Sequence, residues 1–163
     1  MPLILEKLKA QGFQFVTVPD LLRAAGRPVA EFENGARLLG LQIPAQPLPA
    51  GEGFWARYFW DVPPGWGNLT PDAFVHYTSP DGTVRFQDDY EIPRLGDVRD
   101  RVLKHLIIVP RKAPPGRYQM RFGQFDPQAP DLSHRVPVRS TFRQKQDAVI
   151  IPNALEVTQA PKP

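Results

Sequence analysis

Twenty prolines among 163 residues constrain this chain more than any other feature. The usual share in globular proteins is about 5%, and here it is more than doubled. Proline lacks a backbone N–H and holds φ near ~−65°, so it belongs at strand ends, sheet edges and turns rather than inside long helices or central strands. A chain punctuated this often is built from short strands joined by stiff connections. With 42% hydrophobic residues, a chain of this length buries roughly 70% of its unfolded surface, enough for one core of its own.

The hydrophobic pattern changes character near residue 30. Upstream, LILEKLKAQ (3–11) has helical spacing and ends before Gly12; FQFVTV (13–18) alternates as a strand; PDLLRAAG (19–26) reads as a second helix stopped by Gly26. Residues 1–30 are therefore expected to form a short helix-strand-helix appendage. From Glu31 onward the pattern is all β. ENGARLLGLQIP, FWARYFW, AFVHYTS, TVRFQDDYEIP, RVLKHLIIVP, GRYQMRFGQFDP, HRVPVRSTF and DAVIIPNALEV give about eight strands over 31–158, separated by Pro, Gly and Asn turn signals. That spacing fits an antiparallel sandwich or barrel, with 159–163 as a disordered tail. In GRYQMRFG, Tyr118, Met120 and Phe122 face one way and Arg117, Gln119 and Arg121 the other, which marks a half-buried strand with a wet polar face. FWARYFW is apolar on both faces. It is expected to run centrally, with Trp55 and Trp60 in the core.

Several function classes are excluded or disfavoured. No cysteine is present, so there is no disulfide framework, thiolate metal site or cysteine nucleophile. The formal charge is +3, with acidic residues interleaved through most of the chain; the one basic run, His134, Arg135, Arg139, Arg143 and Lys145, reads as a solvated strand face rather than a nucleic-acid groove, which also needs stacking aromatics. No nucleic-acid partner is expected. The opening MPLILEKLKAQG lacks the apolar core of a signal peptide, and no stretch reaches the roughly 18 apolar residues of a membrane span, so no membrane insertion is expected. There is no GxSxG elbow, no phosphate loop and no ordered Ser-His-Asp set. The chain does not read as an enzyme.

The densest polar stretch is FVHYTSPDGTVRFQDDYEIP (74–93), with His76, Asp81, Asp88, Asp89 and Glu91. Asp81 has a full explanation in the SPDG turn, where Pro80 presets φ and Asp-Gly supplies the tolerant corner. Strand alternation sends Asp88 and Asp89 to opposite faces, so both cannot join His76. A structural hairpin is the favoured reading. The competing one is a calcium site using Asp88, Asp89 and Glu91 with backbone oxygens, since hard cations accept such mixed ligands; no other cofactor is expected. Among the aromatics, Trp66 in the loop PPGWGN, with Tyr77 and His76 nearby in sequence, is the candidate sugar-stacking set, against ordinary core packing. Arg57 and Arg121 suit either an anion or partner surface or a solvated sheet face.

Two resemblances follow from these motifs. PRKAPPGRYQMRFGQFDP, the hairpin 74–93, and ENGARLLGLQIP with GEGFWARYFW occur in the order found in a family of bacterial β-sandwich domains. Those domains lie beside membrane glycosyltransferases and other cell-envelope carbohydrate proteins. Over 31–158 the resemblance implies a mainly β, immunoglobulin-like sandwich that is an accessory module rather than a catalyst, in a cell-envelope context, binding glycan weakly or docking an adjacent catalytic domain. The stretch 3–27, with ILEKLKAQGFQFVTVPDLLRAAGR, resembles the end of a NodB-type polysaccharide deacetylase barrel. That activity needs a divalent metal held by an aspartate and two histidines, motifs that this chain lacks. The alternative reading is therefore a purely structural or interaction domain from the C-terminal part of a deacetylase-like protein.

Overall fold

The computed structural model of the chain describes residues 25–63, 71–92, 100–128 and 134–161, together with Glu6, Lys7, Gln11, Val18 and Leu22. Twelve strands lie among these residues: β1 (Ala30–Phe32), β2 (Arg37–Gln42), β3 (Leu48–Pro49), β4 (Gly53–Asp61), β5 (Asp72–Thr78), β6 (Val84–Gln87), β7 (Tyr90–Glu91), β8 (Asp100–Ile108), β9 (Gly116–Phe125), β10 (Val138–Arg139), β11 (Arg143–Gln144) and β12 (Val149–Thr158). No helix has both its bounds among the described residues, but Glu6, Lys7, Val18 and Leu22 are helical; for Val18 this replaces the expected strand end. The expected helix-strand-helix appendage falls almost wholly outside the described residues, as does the loop carrying Trp66.

Alternation of apolar and polar side chains gives each strand one face to bury, and two sheets do so against each other. The first has the order β10-β1-β2-β4-β8; the second has β11-β12-β9-β5-β6, with β3 alongside β12 and β7 alongside β5. Between them lie Leu38, Tyr58, Trp60, Val75, Tyr77, Tyr118, Met120, Phe122 and Leu155, all essentially without solvent contact. Aromatic rings bridge the layers. Phe32 of the first sheet contacts Trp60 at 5.8 Å between centroids and Phe122 of the second at 6.5 Å; Phe54 meets Tyr77 at 5.9 Å.

Three expectations need correction. The pairing is not purely antiparallel: Leu48 and Pro49 run parallel to Val157 and Thr158, a two-residue contact too short to leave any alternation in the sequence. The segment 83–93 is not one strand. It breaks at Asp88 and Asp89, because the Asp89 carboxylate takes the Val75 N–H (3.2 Å) while the Asp88 N–H donates to the Val75 carbonyl (2.8 Å). Trp55 is not core. Trp60 is fully buried, but Trp55 is 52% exposed on the outer face of the first sheet, where the Lys104 ammonium lies 4.0 Å from the ring centroid.

Candidate functional site

The outer face of the second sheet is where the polar residues gather. On β5, Ala73, Val75 and Tyr77 point into the core, which turns Asp72, Phe74, His76 and Thr78 outward. On β9 the inward set is Tyr118, Met120 and Phe122, so Arg117, Gln119 and Arg121 face outward beside them. Register places His76 directly against Arg121, Thr78 against Gln119, and Phe74 against Gly123. On the other side of β5, Gln87 stands opposite His76.

His76 is held rather than free. Its Nε2 lies 3.5 Å from Asp89 Oδ1, Gln87 Nε2 donates to Asp89 Oδ2 at 3.1 Å, and the Phe74 ring packs against the imidazole at 5.2 Å. Nearby, burial pushes the Asp72 carboxyl above its ordinary range, with the neighbouring Glu91 and Asp89 carboxylates adding to the shift. Above β9, the Arg121 guanidinium reaches Gln146 Oε1 (3.1 Å) and the Lys145 carbonyl (3.4 Å), while Arg135 donates to the Gln146 carbonyl (3.1 Å) and sits over the Phe74 ring at 4.6 Å. At the far end of β9 the same face opens into a shallow cleft of about 300 Å³ lined by Thr78, Ser79, Gly82, Arg117, Gln119 and Asn153.

The hairpin turn bounding that cleft is tightly bonded. Asp81 accepts from the Ser79 hydroxyl, from the Thr83 N–H (2.9 Å) and from Arg85. These bonds, that from Ser79 first, hold the Asp81 carboxyl below the usual carboxylate range. Its place in the sequence is thereby explained without a ligand.

The remaining candidates scatter. Asp88 turns between the sheets, accepting from the Tyr58 hydroxyl at 2.8 Å and lying 2.9 Å from His105 Nδ1. Next to it Trp60 Nε1 donates to the Tyr90 hydroxyl at 3.2 Å, and burial raises the Tyr58 and Tyr90 hydroxyls well above the ordinary phenol range. Asp88, Asp89 and Glu91 are therefore not brought to one point, and among the described residues no three metal-ligating side chains converge. Tyr77 lies wholly in the core, stacked on Phe86 at 4.6 Å, out of reach of any surface ligand. Trp66 lies outside the described residues. Arg57 and Arg121 do not form a pair: Arg57 is on the first sheet, bonded to Gln42, and the companion of Arg121 is Arg135, joined to it through Gln146. Sequence spacing had no means of finding that companion, because Arg135 lies beyond the end of β9 in sequence and comes alongside it through an antiparallel bridge to Phe125. The one signal was the basic run it belongs to.

Two histidine-carboxylate pairs stand among the described residues, His76 with Asp89 and His105 with Asp88. His76 and Asp89 face solvent with amide and guanidinium neighbours; His105 and Asp88 are tied to a tyrosine inside the molecule. What the outer face offers is a row of planar polar groups, His76, Gln87, Gln119 and Arg121, on a rigid sheet.

No helix among the described residues is long and apolar enough to cross a membrane. No family model matches the sequence, and no curated protein matches it. Among solved structures, the chain is similar to the C-terminal domain of wzt, with a TM-score of 0.55 and 16% identity over 83% of this chain and 84% of that one. At that identity the likeness is one of fold.

Proposed function

We propose that this chain is a non-catalytic carbohydrate-binding β-sandwich module, acting in a cell-envelope context, and that it holds glycan on the outer face of its second sheet. The observation that carries the proposal is the row of His76, Gln87, Gln119 and Arg121 on a sheet whose other face is sealed core, ending in the cleft at Thr78 and Asn153. Planar amide, imidazole and guanidinium groups hydrogen-bond pairs of sugar hydroxyls, and a rigid sheet presents them at little entropic cost. From Arg117 to Arg121 the strand advances about 13 Å, the span of two or three sugar rings. The resemblance over 31–158 to envelope carbohydrate domains supports this reading, as does the fold shared with the C-terminal domain of wzt. The Tyr118 hydroxyl, bonded 2.8 Å to the Pro114 carbonyl four residues upstream, has the geometry of the tyrosine corner of immunoglobulin-like sandwiches and supports that finer class.

Titration of the protein with envelope polysaccharides, followed by amide chemical shifts, tests the proposal. Shifts confined to the outer face of the second sheet, at β5, β6, β9 and the cleft by Asn153, abolished by Gln119→Ala and His76→Ala without loss of fold, are expected; Trp66→Ala is the companion variant for the loop. Shifts elsewhere, or none with any polysaccharide, overturn it.

A second reading, an interaction domain docking an adjacent domain, is favoured by one specific observation. Trp55, Val102, Leu106 and Ile108 form an exposed apolar row on the outer face of β4 and β8, and β8 is the edge of its sheet. Binding of a partner that protects Trp55 from a soluble quencher, with the second sheet unaffected, distinguishes it from the first.

A further inference from the structure

Three arginines of the described sheets pair with carboxylates: Arg37 with Asp61, Arg85 with Asp81 and Arg117 with Glu156. Arg121 and Arg135 do not. Their bonds go to uncharged oxygens, those of Lys145 and Gln146. Both guanidiniums converge on one residue, and that residue is unusual, since Gln146 and the following Asp147 both adopt positive φ, 51° and 54°. Consecutive side-chain-bearing residues in the left-handed region cost conformational energy and persist where the surroundings enforce them. The two cations help to do so, clamping the turn from beneath.

One donor remains unspent. Arg121 Nε is buried and has no hydrogen-bond partner, whereas buried guanidinium donors are ordinarily satisfied. Burial, followed by the nearness of Arg135, holds the Arg121 guanidinium below its usual range. His76 lies cross-strand to Arg121 with its Nε2 turned to Asp89.

We propose that Arg121 and Arg135 form an oxyanion subsite at one end of the glycan-binding row, which reads the carboxylate or phosphate of an acidic sugar. Two guanidiniums side by side match the oxygens of such a group by charge-assisted, forked hydrogen bonds, and a carboxylate or phosphate supplies the charge that Gln146 does not. The phenyl ring of Phe74, beneath Arg135 and against His76, walls the subsite on its apolar side. The inference rests on the glycan-binding reading for its biological ligand, but the anion chemistry is separately measurable.

The experiment uses trigalacturonate, its methyl ester, mannose 6-phosphate and inorganic phosphate as probes, followed through the arginine Nε–Hε resonances of the intact protein. Trigalacturonate, or the two phosphate probes, is expected to shift the Arg121 and Arg135 signals, with binding weakened about tenfold by Arg135→Gln and falling with added salt. The methyl ester, identical but uncharged, should leave those signals in place. Which arm responds identifies carboxylate or phosphate as the group read. Arg135→Lys retains the charge without the fork; affinity intermediate between wild type and Arg135→Gln is expected while the fold signature is unchanged. Unmoved arginine signals at millimolar concentrations of every anionic probe overturn the inference, and neutral glycan binding along Gln119 would then leave the broader reading standing. Anion binding at the arginines without polysaccharide binding would do the reverse.

Discussion

Asp88 shows how one carboxylate holds two layers together. It receives the hydroxyl of Tyr58 from β4 and faces the imidazole of His105 from β8, so it ties the break between β6 and β7 to the opposite sheet. Removing it strands two polar groups in the interior. Asp88→Ala is expected to lower stability by about 2–3 kcal/mol, read from urea unfolding midpoints, and Tyr58→Phe in that background should recover part of the loss. Asp72 is the opposite case. Its carboxyl is raised by burial and by Glu91 and Asp89, so the charged form is penalised in the folded state. That penalty is present at pH values above the raised range and vanishes below the unfolded value, where both states are protonated. Asp72→Asn should therefore raise the melting temperature at pH 7 and leave it unchanged at pH 3.

At the scale of elements, β9 organises the molecule, lying between β12 and β5 with its inner side chains in the core and its outer ones forming the candidate site. Its alternation was legible in the sequence, and so was the division of β5 into Phe74, His76 and Thr78 against Ala73, Val75 and Tyr77. Gly123 fixes how closely these strands and the loop above them approach. A Cβ there would fall 2.7 Å from Phe74 Cε1 and Cζ and 2.8 Å from the Asp147 carbonyl. The carbonyl belongs to the same tight turn that Arg121 and Arg135 clamp, so it has little room to give. Gly123→Ala should cost about 1–3 kcal/mol by equilibrium unfolding and disturb the Arg121 Nε–Hε resonance as well. The Pro-Asn pair in β12 has a parallel logic: the register with β9 shifts between Ile151 and Leu155, and Asn153 takes φ 50°, so the strand absorbs a proline by bulging.

Over the whole molecule, the contrast between two tryptophans of one strand measures what the second layer covers. Trp60 faces the opposite sheet and is fully buried; Trp55, on the other face of β4, is half exposed beneath Lys104. Trp60→Ala should destabilise by about 3–5 kcal/mol, whereas Trp55→Ala should stay within about 0.5 kcal/mol, both from chemical denaturation. Similar costs for the two would mean that the outer face of the first sheet is covered in solution. The sequence by itself determined the β class, the places of β2, β4, β5, β8, β9 and β12, the facing of β5 and β9, and the turn role of Asp81, because alternation and turn chemistry are local and each residue's neighbours in sequence decide them. Only the tertiary structure decided that Tyr77 is core and Trp55 is not, that Asp88 meets Tyr58 and His105 of the opposite sheet, and that Arg135 comes to Arg121. Which layer lies over a face, and which distant segment folds back across it, depends on pairings between residues far apart in the chain, and no periodicity within a single strand records them.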